Sequence, residues 1–128
     1  MAESTHWAFP SPLQPNAAEA AFDLSRAFDA VVRLAARVPD DAFTAPILGT
    51  EREGNGVVIR DNGLIVTVGY LITEAETIWL HLADGRVIPG HALAFDPETG
   101  FGLVMALEHV ELPALTLGQS RNLRIGDA

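Results

Sequence analysis

The sequence predicts an all-β domain with a short helix near its N-terminus. Three observations carry this reading. Beyond residue 30, apolar residues alternate in short runs, with Ile78, Leu80 and Leu82 on one face of "TIWLHL" and Thr77, Trp79 and His81 on the other. Glycine-containing turns such as "DNG" and "ADGR" separate these runs at close intervals. Helical spacing is shown by Ala21, Leu24 and Phe28. Many short strands with closely spaced turns predict a small barrel or sandwich.

Taken in order, residues 1–15 read as an irregular arm because Pro10, Pro12 and Pro15 interrupt them, with Trp7 and Phe9 as possible anchors. Asn16 with Glu19 three residues on resembles a capping box, which predicts a helix over Ala17–Phe28. From Val31 the period changes to that of a strand: Val32, Leu34, Ala36 and Val38 are apolar while Arg33 and Arg37 alternate with them. A helix continued through Arg37 is the alternative, since the alanines suit both. "GVVIR" and "LIVTV" make a hairpin around Asp61–Gly63, and "RVIPGHALAF" returns after "TIWLHL", with Pro89-Gly90 expected at a bulge or edge. "FGLVMAL", apolar at both parities, is expected to be buried on both sides, and "LPALTLG" over Leu112–Gly118 is expected to be a last short strand.

Composition narrows the function. A chain of 128 residues that is 48% hydrophobic fits one domain with a real core. Its mean hydropathy of +0.21 also leaves room for an apolar face meant for a partner. A net charge of −9 disfavours nucleic acid and anionic membrane surfaces as partners. The absence of cysteine excludes disulfides and thiolate metal sites, and no apolar run approaches the roughly 20 residues of a membrane span. "AESTHWAFPSPLQP" lacks the pattern of a secretory signal, so the expected location is the cytoplasm if Met1 is the native start.

Three segments in order carry a family resemblance: "GNGVVIRDNGLIVT" (54–67), "ETIWLHLADGRVIPGHALAFDPETG" (76–100) and "LPALTLGQSRNLRIGD" (112–127). From about Val31 to its end the chain resembles the first half of an HtrA/Deg-type, trypsin-like serine protease domain. The resemblance implies a chymotrypsin-like, six-stranded antiparallel β-barrel over residues 16–128, with its leading helix. It further implies an active site between this barrel and a second one, which supplies the nucleophile, the oxyanion hole and the specificity pocket.

Aligned on "GLIVT", the family's catalytic histidine position is held by Tyr70; aligned on "DPET", its aspartate position is held by Gly100. A phenol is protonated at neutral pH and accepts a proton from serine poorly, and glycine offers no carboxylate. The glycine-flanked nucleophile motif is absent. The expectation is therefore that the chain as it stands is no enzyme but a pseudoprotease, acting through protein binding as scaffold, regulator or chaperone-like module. The alternative is a fragment or split half of a longer HtrA-like endopeptidase, with the second barrel on another chain or absent from this polypeptide. The partner expected is another protein, or a second copy, on an exposed apolar barrel face. No cofactor and no metal site are expected, since His6, His81, His91 and His109 lack ligand spacing. Asp96 and Glu98 read as turn residues and Ser120 as a loop serine.

Overall fold

The protein is described by a computed structural model covering residues 10–127. His6, Trp7, Phe9 and most of the arm expected over 1–15 lie outside the described residues; Ser11–Leu13 forms one 3-10 turn.

The helix expected over Ala17–Phe28 is two pieces, a 3-10 turn at Ala17–Glu19 and the helix α1 at Leu24–Asp29. Each piece has its own cap. Asn16 Oδ1 accepts from Ala18 N at 3.0 Å, and Asp23 Oδ1 accepts from Arg26 N at 3.1 Å. A capping residue takes extended backbone, as Asp23 does (φ −73°, ψ 98°), so it begins a helix and cannot sit within one. Phe28 is consequently exposed, and the chain turns inward only at Ala30.

Six strands follow: β1 (Val31–Arg37), β2 (Glu51–Arg60), β3 (Leu64–Val68), β4 (Thr77–His81), β5 (Val87–Phe95) and β6 (Phe101–Ala106). A short helix, α2 (Ala45–Leu48), lies between β1 and β2. The sheet is a closed antiparallel barrel in the order β1-β2-β3-β6-β5-β4. In a closed barrel every strand has one inner and one outer face, so period-two alternation sorts the side chains. Val32, Leu34, Val58, Ile65, Ile78, Leu80, Ile88 and Val104 fill the interior. The β2–β3 turn needs Gly63, whose φ is +90°.

Three expectations are corrected. The segment around β6 is apolar at both parities but buried at one: Val104 is fully buried, whereas Phe101 on the opposite face is 58% exposed. Its second apolar face is outer surface. The register shift in β5 falls between Ala92 and Ala94, not at Pro89-Gly90. Pro89 sits opposite Trp79 in the β4–β5 ladder, and the β5–β6 ladder begins only at Gly90. Leu112–Gly118 is not a strand, because the barrel leaves open to it only the short end of β2 beyond its last pairing with β1, Val31↔Val57. It keeps a single backbone bond to the barrel, Leu115 N to Val58 O at 2.9 Å, while Leu112, Ala114 and Leu115 pack on the core.

Leu80 is fully buried and Val87, on the neighbouring strand, is half exposed. Leu80→Ala is expected to lower the unfolding free energy by about 2–5 kcal/mol in urea titrations, through lost burial and the cavity left behind. Val87→Ala is expected to change it by less than about 1 kcal/mol. A reversed order would mean that the inner face has been misassigned.

Candidate functional site

The site is built at the end of β3. Thr67 is the last inward residue of that strand, and its buried hydroxyl donates to Asn55 O at 2.8 Å. The chain then tightens into a 3-10 turn, Gly69–Leu71, which carries Tyr70 outward at 48% exposure. A Cβ at Gly69 would run into the Phe95 ring and press on Gly100 O, so a larger residue here would have to displace Phe95. Gly69 N donates to Gly100 O at 2.7 Å. The two positions singled out by resemblance, far apart in sequence, are thus joined by one hydrogen bond through Tyr70's neighbour.

Gly100 closes a turn that Asp96 organises. Gly100 N donates to Asp96 O at 2.8 Å, and Glu98 N to Asp96 Oδ1 at 3.1 Å. Thr99 Oγ1 donates to Asp96 Oδ2 at 2.8 Å. Gly100 itself has φ +82°. Asp96 serves its own turn, as the sequence indicated.

Three large apolar side chains and the Tyr70 phenol flank this junction. Val68 and Phe101 are cross-strand partners on the outer face, each more than half exposed. Phe95 lies over Gly69 and, like Tyr70, is about half exposed. Together they form an apolar rim at this end of the barrel.

Beneath the rim is a residue that sequence reasoning missed. Arg52 is buried, at 3% exposure. Its Nη1 donates to Tyr70 O at 2.8 Å and to Thr73 O at 3.0 Å, its Nε to Gly49 O at 3.2 Å and its Nη2 to Thr44 Oγ1 at 2.8 Å. The signal was available. Arg52 shares the inward parity of Gly54, Gly56 and Val58 on β2, and a guanidinium on that parity must be satisfied by acceptors inside.

Next to it, Glu74 holds the loop before α2. Its Oε1 accepts from Phe43 N at 3.0 Å, and its Oε2 accepts from Thr44 N at 2.8 Å and from the Thr44 hydroxyl. The Thr44 hydroxyl and then the Thr44 amide hold this carboxyl below the ordinary glutamate value against desolvation, with lesser help from the Phe43 amide and the Arg52 charge.

The remaining candidates do not gather here. His81 lies on β4 opposite Arg33, and His91 is exposed on β5 opposite Met105. His109 is exposed, 3.9 Å from the Glu111 carboxylate, a distance and setting that contribute little. Ser120 lies in an exposed 3-10 turn, Ser120–Asn122. Among the described residues no three carboxylates or histidines converge as a metal site would need.

A family model described as the trypsin-like peptidase domain matches residues 54–128. The chain belongs to this family. Among relatives of the trypsin-like domain, a probable periplasmic serine endoprotease DegP-like of Halomonas elongata is 33% identical over 73 residues, 57% of this chain and 15% of its own length. The periplasmic serine endoprotease DegP of Escherichia coli is 32% identical over 75 residues, 58% of this chain and 16% of its own. Of solved structures, the HtrA-type protease AlgW with tripeptide superposes with a TM-score of 0.67 at 29% identity, over 80% of this chain and 31% of that one. A serine endoprotease from Yersinia pestis gives 0.65 at 27% identity, over 80% and 34%. The trypsin-like domain is thus of the HtrA type, with a chymotrypsin-like barrel, and spans under a fifth of these curated relatives. One expectation is overturned. The reading of the chain as no enzyme does not stand, because the relatives it matches are named serine endoproteases.

Glu74 also generates a pH dependence. Its folded-state carboxyl titrates below the ordinary value of 4.5, so the stability it adds is complete above that value and is lost as pH falls through the lowered one. Urea midpoints measured from about pH 7 to about pH 3 should fall more steeply for the wild type than for Glu74→Gln in the acid range. Parallel curves would remove Glu74 from the account.

Proposed function

We propose that this chain is the first barrel of an HtrA-type serine endopeptidase and works by holding protein surface on the rim of Val68, Tyr70, Phe95 and Phe101. The observation that carries this is the position of the rim: it surrounds the Gly69–Gly100 hydrogen bond. In the two-barrel arrangement that the resemblance implies, the second barrel and the substrate lie against this region. A rim of three apolar side chains and one phenol suits such a contact, since a tyrosine combines an apolar ring with a hydrogen-bonding tip. Half-exposed aromatic and aliphatic side chains clustered at one end are also what an uncovered protein interface leaves behind.

We also assign Tyr70 to the family's histidine position and Gly100 to its aspartate position. A base and the carboxylate that orients it must lie within hydrogen-bonding reach of each other. The Gly69–Gly100 contact supports the assignment by bringing the two positions to that proximity. On this assignment, hydrolysis by a longer assembly draws its base and its nucleophile from groups other than Tyr70 and Gly100. The partner at the rim is a second barrel, on further chain or on another polypeptide, and in its absence a second copy of this chain.

Light scattering of the 128-residue protein at micromolar concentration is expected to give a mass well above its 13.7 kDa. The double variant Val68→Glu, Phe101→Glu is expected to return it to a monomer with an unchanged circular dichroism spectrum. A wild-type monomer that also binds no dye for apolar surface would remove the binding role of the rim.

A further inference from the structure

The rim is tied to a distant-looking loop by a small polar device. Two segments meet under Tyr70. One is the loop between β1 and β2, which includes Thr44, α2 and Gly49; the other is the turn after β3, from Gly69 to Glu74. Arg52 bonds both, through Thr44 Oγ1 and Gly49 O on the first and Tyr70 O and Thr73 O on the second. Glu74, the residue after Thr73, reaches back to the first segment and grips the Phe43 and Thr44 amides. The two links converge on one atom: the Thr44 hydroxyl accepts from Arg52 and donates to Glu74.

Two further features mark this as a specified arrangement. No direct ion pair among the described residues includes Arg52; its charge faces the Glu74 carboxylate across the Thr44 hydroxyl and is otherwise met by carbonyl dipoles. A buried cation held in this way loses several bonds at once if either segment moves. Glu74 has φ +61°, the one non-glycine residue in the left-handed region among those described. Such a backbone is strained for a residue with a side chain and persists only where surrounding contacts hold it. The loop it holds presents Phe43 and Ile47 almost bare to solvent, at 93% and 87% exposure.

We propose that Arg52 and Glu74, meeting at the Thr44 hydroxyl, couple the loop between β1 and β2 to Tyr70, so that displacing either one displaces the other. Arg52 is then a positioning residue for the rim. A protein surface held at Tyr70 is registered at Phe43 and Ile47, a consequence that rests on the binding role proposed above. The coupling itself does not.

Tyr70 is the only tyrosine of the chain, so its ring resonances report this position without ambiguity. In Glu74→Gln and in Thr44→Val, amide exchange at Phe43 and Thr44 is expected to accelerate by about tenfold or more, the loss expected for hydrogen bonds to a charged group. In the same two variants the Tyr70 ring resonances are expected to move, and in the double variant to move no further than in the more affected single one. Thr44→Ser keeps the hydroxyl and should leave them at the wild-type position. Unchanged amide protection in β1 and β4 shows that the barrel is intact; if one variant loses it, the other decides alone. Tyr70 resonances that stay in place while the loop amides are released would overturn the coupling, as would equal shifts in Thr44→Ser and Thr44→Val. Loss of the rim's association with partners would leave these signals as they are, so the two readings fail separately.

Discussion

In the strand order β1-β2-β3-β6-β5-β4, four of the six pairings join strands consecutive in sequence. They make two three-stranded meanders. The β3–β6 ladder joins the meanders along one side, and the β1–β4 ladder, from Arg33↔His81 to Arg37↔Thr77, closes the other. Without that second seam the structure would be an open sheet with two hydrogen-bonding edges and a half-covered apolar face. With it, Leu34 and Leu80 meet directly across the seam, both fully sealed from water.

Closure sets the terms at the mouth of the barrel as well. An inward-facing residue near the end of a strand must either be apolar or find acceptors among the chain segments that cap the opening. Arg52 takes the second course, and the carbonyls it needs come from the turns on both sides of it. The outer residues at the same end, Val68 and Phe101, have no inner layer to enter and remain half exposed. One geometric condition thus accounts for a buried cation and an apolar rim within a few residues of each other. It also explains why the turn carrying Tyr70 is fixed from below by polar bonds and bounded from outside by apolar side chains.

Much of this was legible in the sequence where a local rule operates. The strand from Val31, the β2–β3 and β4–β5 hairpins and the Asp96–Gly100 turn follow from alternation and turn chemistry alone. The HtrA-type resemblance was legible from ordered motifs and gave the barrel closure that alternation could not. What escaped was set by tertiary context. The apolar residues of Phe101–Leu107 look doubly buried in sequence, yet one of their faces is the outside of the barrel. Ala21, Leu24 and Phe28 share a helical period, but the Asp23 side chain competes for backbone amides and divides the helix. The sequence singled out Tyr70 and Gly100, but only the fold places Tyr70's neighbour Gly69 in a hydrogen bond with Gly100. Arg52 was hidden among charged neighbours, Glu51 and Glu53, that face the other way.

Both the buried Arg52 and the apolar rim depend on the closing seam. Native-state hydrogen exchange, followed amide by amide, tests it most directly. The β1–β4 amides should open only with the free energy of global unfolding, matching those of the β2–β3 hairpin, while α1 and residues 116–127 exchange far faster. If the β1–β4 amides instead exchanged by a separate opening of much lower free energy, with β2–β3 still protected, the molecule would be an open sheet in solution. The shared origin assigned here to the buried Arg52 and the apolar rim would then fail.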